Sequence, residues 1–153
     1  NLDTEKLEEK ITSKTRALLP VHYAGHPCDM DVIQSIAEQY HLIVIEDAAH
    51  ALEARYNNQK IGSLGNLTAF SFYANKNITT GEGGMLAVHD EELADKIRIM
   101  RLHGLSRDAW KRYGKNGFAN WQLQIPGYKY NMADINAALG IHQLKKVENF
   151  YEA

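Results

Sequence analysis

The chain has 153 residues, 44% of them hydrophobic and 24% charged, with a formal net charge of −2. That length suffices for a real hydrophobic core, and 17 basic against 19 acidic residues leave no basic excess of the kind that marks a nucleic-acid or membrane-surface binder. Cys28 is the only cysteine, which excludes an internal disulfide and fits a reducing compartment such as the cytoplasm, and the apolar runs are far too short to cross a bilayer.

In chain order, Asp3 or Thr4 is expected to cap a short helix through Lys10. Ala17-Leu-Leu-Pro-Val-His22 reads as a buried strand ended by Gly25 and Pro27. Asp29 or Asp31 then caps a helix to about Tyr40, with Val32, Ile33, Ile36 and Ala37 at helical spacing. Leu42-Ile-Val-Ile45 is a short continuous apolar strand, so this span forms a strand–helix–strand unit and implies a parallel sheet with helices on its faces. Strands follow at 67–72 and 84–88, the second preceded by the turn Thr79-Thr-Gly-Glu-Gly-Gly84. Asp90 caps a helix to about Leu102, 106–121 reads as a long surface loop, and Asn131 or Asp134 starts a last helix through Leu144. The start lacks the pattern of a signal peptide, and Lys145 to Ala153 reads as the middle of a helix, so the sequence is expected to be a piece of a longer chain.

Several residues have the chemistry of a site. Asp47 follows the strand 42–45 directly, where open parallel sheets bind ligands, although an Asp in that position reads first as a helix N-cap. His50 lies three residues on, but no further ligands stand at metal spacing; His22, His26 and Cys28 form a loose cluster without the paired spacing of a zinc site. Lys76 ends an apolar strand among Phe72, Tyr73 and Ile78, where partial desolvation would favour the neutral amine needed to attack an aldehyde; the alternative is an ordinary exposed loop lysine. The glycines at 81, 83 and 84 permit close backbone approach to a ligand or simply make a tight turn. Together, an Asp at one strand end, a Lys at another, Ser71 before that Lys and glycines after it are the parts that pyridoxal phosphate (PLP) requires.

The ordered segments Glu46-Asp-Ala-Ala-His50, Phe70-Ser-Phe-Tyr-Ala-Asn-Lys76, Gly81-Glu-Gly-Gly84, Arg101-Leu-His-Gly104 and Pro126-Gly-Tyr-Lys-Tyr-Asn-Met-Ala-Asp134 resemble the DegT/DnrJ/EryC1/StrS sugar aminotransferases. That likeness extends to the members making UDP-4-amino-4-deoxy-L-arabinose. It implies an α/β fold of the PLP-dependent transferase type I, with 1–153 forming part of the large cofactor-binding domain and an amino-terminal segment and carboxyl-terminal small domain lying outside it. The resemblance further implies that Lys76 forms the internal aldimine and shuttles protons, Asp47 pairs with the pyridinium nitrogen, and His50, where many relatives have Gln, lies by the ring. Ser71 would contact the phosphate, while Lys129 or Asn131 would reach the phosphate of a partner subunit in a homodimer with shared active sites. The implied reaction moves an amino group from a donor, generally glutamate, to a 4-keto nucleotide-linked sugar. Lysine at 76 favours transamination over the dehydration performed by relatives with His there. Specificity is expected in loops such as 107–121, where Arg107, Lys111 and Arg112 face either a diphosphate or solvent.

Overall fold

The computed structural model describes residues 1–105 and 122–152. The long loop expected at 106–121, with Arg107, Lys111 and Arg112, lies outside the described residues. The chain divides into two compact units, Asn1–His89 with Met132–Ala153, and Asp90–Asn131.

The first unit is built on a four-stranded sheet in the order β1 (Ala17–Leu18), β2 (Ile43–Asp47), β5 (Leu67–Ser71), β6 (Gly84–Ala87). β1, β2 and β5 are mutually parallel, and β6 runs antiparallel to β5. The mixed α/β fold with a mostly parallel sheet therefore stands as expected. β6 departs from the parallel pattern because the 72–83 connection returns to β5 as a closed loop: Phe72 donates to Gly83 at 2.9 Å and Thr80 donates back to Phe72 at 3.0 Å. Such a loop supplies no crossover, and only a crossover makes a parallel neighbour.

α1 (Met30–Gln39) forms where its apolar spacing predicts, capped by the Asp29 carboxylate on the Val32 amide at 3.4 Å. Met30, Ile33 and Ala37 on α1 pack with Leu7, Leu18, Cys28 and Val44 in one core cluster. Burying a side chain the size of Ile33 contributes about 1.5–3 kcal/mol, which is why α1 is fixed on this face of β1 and β2. The opposite face carries Leu19, Val21, Ile43, Ile45 and Asp47, and Leu19 and Ile43 are 59% and 58% exposed.

Several elements depart from the sequence reading. The first expected helix is two 3-10 turns, Thr4–Lys6 and Glu8–Lys10, with Asp3 capping the first. The strand expected at 17–22 pairs continuously only at Ala17–Leu18, then returns as a single bridge between Val21 and Asp47. Pro20 lies in the gap: it has no N–H to donate, but its carbonyl accepts from the Asp47 amide at 2.9 Å. A hairpin of β3 (Arg55–Tyr56) and β4 (Gln59–Lys60) also stands where none was expected. Asn57 and Asn58 at its tip have φ of 49° and 66°, as a two-residue turn with both central residues left-handed requires.

α3 (Asp134–Leu144) starts at the later of the two expected positions, and α4 (Val147–Glu152) follows. Asn136 on α3 donates to the Thr80 carbonyl at 2.5 Å, and Gln143 accepts from the Thr79 amide at 3.4 Å, so α3 buttresses the 72–83 loop. Val147 joins Phe72 and Ile78 in a further core cluster beneath the same loop.

The second unit holds α2 (Glu91–Met100), capped by Asp90 on the Leu93 amide at 3.0 Å. After α2 the chain pairs with its later part through bridges Leu102–Lys129 and Leu105–Leu123. Gly104 is left-handed at φ 76°, and any Cβ there would collide with the Ile125 carbonyl, so glycine is obligatory at this crossing.

Candidate active site

The site grows from the carboxyl ends of β2 and β5. These strands are parallel with Asp47 opposite Ala69, so Asp47, Ala69 and Ser71 lie on one face at the same sheet edge. Asp47 is half-buried, and no helix follows it. Its Oδ1 accepts from the Ala49 amide at 3.0 Å, so the expected cap is a tight turn rather than a helix start. That turn carries the chain to His50, which is exposed.

Lys76 lies on the loop leaving β5. Its amide donates to the Tyr73 carbonyl at 3.0 Å, and Phe72 and Ile78 anchor the loop from below at 5% and 3% exposure. The lysine is half-buried, as its apolar neighbours predict. A crevice of about 10 Å³ brings Ser71, His50, Glu53 and Lys76 together, and a larger hollow of about 410 Å³ extends from His50 and Lys76 to Tyr23, Asn75, Asn77 and Tyr151. Ser71 Oγ accepts from the Tyr73 amide at 3.3 Å. Asp47 lines neither cavity; it stands at the neighbouring strand end on the Ser71 face.

A loop that the sequence reading did not single out walls the larger hollow. Tyr23 packs edge-on to His50 with ring centroids 6.1 Å apart, and the Ala24 amide donates to His50 Nδ1 at 3.3 Å. Gly25 follows with φ 79°, and a Cβ there would stand 2.9 Å from the His50 carbonyl. Glu53, in both cavities, accepts a hydrogen bond from Asn77.

Below the edge lies a second unforeseen feature. His22 and Glu46 are each 0% exposed. His22 Nε2 stands 2.8 Å from Glu46 Oε2, while Asn66 and Thr68 each donate to Oε1 at 3.0 Å. Burial is the largest single influence on this carboxyl and opposes ionisation. The hydrogen bonds from His22, Asn66 and Thr68 together outweigh it and hold the pKa below the usual value. The detectable signal was parity: His22 and Glu46 have the same parity as the buried Leu18 and Val44, so two polar side chains must share the α1 face. His22 is thus a core residue of this pair rather than part of a metal cluster. Among the described residues no group of three or more His, Cys, Asp or Glu is arranged to hold a metal ion.

Lys129 and Asn131 belong to the second unit, where they hydrogen-bond each other, and the exposed rings of Tyr128 and Tyr130 stack at 5.1 Å.

These residues suit pyridoxal phosphate in donor chemistry: a half-buried amine beside an open hollow, a hydroxyl in the crevice with that amine, and a carboxylate at the adjacent strand end. The sequence matches the DegT/DnrJ/EryC1/StrS aminotransferase family over residues 1–153. The chain belongs to that family. Among curated relatives it is 61% identical over 148 residues to the uncharacterized protein MJ1066 of Methanocaldococcus jannaschii. It is 54% identical over 149 residues to the spore coat polysaccharide biosynthesis protein SpsC of Bacillus subtilis. In each case 97% of this chain aligns with 38% of the relative, so the chain spans well under half the length of the proteins it matches. Helicobacter pylori PseC, an aminotransferase of pseudoaminic acid biosynthesis, superposes with a TM-score of 0.87 at 34% identity, over 97% of this chain and 38% of that one. Streptococcus pneumoniae Spr1654 in its PMP form gives 0.86 at 34%, over 97% and 42%.

Proposed function

We propose that the chain is part of the large cofactor-binding domain of a PLP-dependent aminotransferase that acts on a 4-keto nucleotide-linked sugar with glutamate as amino donor. The observation that carries this reading is the shared crevice of Lys76, His50 and Ser71 beside the Asp47 strand end. Family membership, and relatives solved in PLP and PMP forms, support the cofactor.

PLP, when bound, supplies an electron sink that stabilises negative charge at the donor carbon next to the transferred nitrogen. In this reading Lys76 Nζ is the attachment point and carries protons to and from that carbon. The Asp47 carboxylate keeps a proton on the ring nitrogen, His50 flanks the ring, and Ser71 donates to the phosphate. Lys129 or Asn131 serves the phosphate of the other subunit in a homodimer. We place the protein in the cytoplasm, in keeping with the free, buried Cys28.

The test is made on the whole enzyme carrying this chain. PLP followed by borohydride should label Lys76 on peptide mapping, and glutamate should yield 2-oxoglutarate as amino transfer proceeds. Sugar dehydration without 2-oxoglutarate would assign the protein to the dehydrating branch of the family.

A further inference from the structure

One residue grips two consecutive positions of β2. The His22 side chain holds Glu46 at 2.8 Å, while its main-chain amide donates to the Asp47 carbonyl at 3.0 Å. The Cys28 amide donates to His22 Nδ1 at 3.1 Å, so that nitrogen carries no proton and Nε2 donates to Glu46. Pro20 accepts from the Asp47 amide at 2.9 Å, which clamps the Asp47 main chain on both sides. The three residues after His22 then form the wall that meets His50 through the Tyr23 ring, the Ala24 amide and the tight approach of Gly25. His22 itself makes the contacts with Glu46, Asp47 and Cys28, and the wall residues follow it directly in sequence; it is 0% exposed and has both ring nitrogens engaged.

We infer that the buried His22–Glu46 pair is the positioning anchor of the cofactor site, setting the Asp47 carboxylate and the His50 ring against the cofactor from beneath. Neither residue touches the cofactor. His22 fixes the backbone of Asp47 directly and is followed by residues 23–25, which hold the His50 ring, and Glu46 fixes His22. Without the pair, the strand end and the wall lose their common reference, and Asp47 is no longer held opposite the ring nitrogen. The inference rests on the PLP reading above.

The experiment uses the whole enzyme loaded with PLP labelled with ¹⁵N at the ring nitrogen. His22→Phe/Glu46→Leu replaces the pair with apolar groups of similar bulk, a change that buried ion pairs often tolerate without loss of stability. Glu46→Gln keeps an acceptor for His22 and is the conservative rescue, since its NH2 can donate to the Thr68 hydroxyl and, once the Asn66 amide turns over, to the Asn66 oxygen. In the double variant the ¹⁵N shift should move toward that of an unprotonated ring. Its kcat should fall about 10- to 100-fold while KM for the donor changes little. Glu46→Gln should restore both readouts to near the parent values. A folded double variant with the parent ¹⁵N shift and kcat would overturn the inference, as would a folded Glu46→Gln with the defect expected of the double variant. Absence of borohydride label at Lys76 in the parent enzyme would instead overturn the PLP reading, and this inference with it.

Discussion

The Ala24 amide donates to His50 Nδ1 at 3.3 Å, so the loop after β1 selects the face that the imidazole presents to the hollow. With Nδ1 accepting, Nε2 carries the ring proton and is the free donor. His50→Gln keeps both an acceptor and a donor and should retain PLP on dialysis nearly as the parent does. His50→Leu keeps neither and should weaken retention by about 1 kcal/mol, a several-fold change in dissociation constant followed by cofactor absorbance. Equal retention by both variants would show that the hydrogen bond is incidental.

Gly25 is the tightest point of the same wall. Its φ of 79° and the 2.9 Å approach of a hypothetical Cβ to the His50 carbonyl leave no room for a side chain. Gly25→Ala should destabilise the protein by about 1–2 kcal/mol, seen as a melting temperature lower by several degrees. It should also weaken cofactor retention, because relief of the clash moves His50.

The Glu46 carboxyl links stability to pH. Its pKa is held below the unfolded value, chiefly against the opposition of burial, by hydrogen bonds from His22, Asn66 and Thr68. A depressed folded pKa contributes stability that is fully present above the unfolded value of about 4.3 and is lost as pH falls through the folded value. Denaturant titrations at pH 7 and below pH 4 should show this acid-dependent loss in the parent and a smaller one in Glu46→Gln. Identical pH slopes for the two proteins would remove Glu46 from the account.

At the hairpin tip, Asn57 and Asn58 both hold positive φ. Asn58→Gly should leave stability unchanged or slightly raised, whereas Asn58→Val should lower it by about 1–2 kcal/mol, since a β-branched residue resists the left-handed region. Chemical denaturation midpoints decide between them.

The sequence was most legible where one local signal dominates. Asp90 caps the helix it was expected to cap, Asp29 rather than Asp31 caps α1, and Val44 is buried within its apolar run. It was least legible where the outcome depends on partners distant along the chain. The antiparallel setting of β6 follows from hydrogen bonds closing the 72–83 loop, and the Asn57–Asn58 hairpin joins strands too short to show alternation. The site divides in the same way. Lys76, His50 and Ser71 line one crevice, and Asp47 stands at the adjacent strand end. His22 and Glu46 were not singled out as a pair because strand parity, which points to one, shows only once residues 17–22 are aligned on β2.

In the proposed function the Lys76 amine bonds covalently to the cofactor while Asp47 holds a proton on the opposite side of its ring. It is tested most directly by borohydride trapping of the whole enzyme with PLP, read by mass-spectrometric peptide mapping. The account predicts a reduced pyridoxyl adduct on Lys76 alone, lost together with the visible cofactor absorbance in Lys76→Ala. Asp47→Asn should keep the adduct but lose most turnover. An unmodified Lys76 peptide, or an adduct on a different lysine, would contradict it.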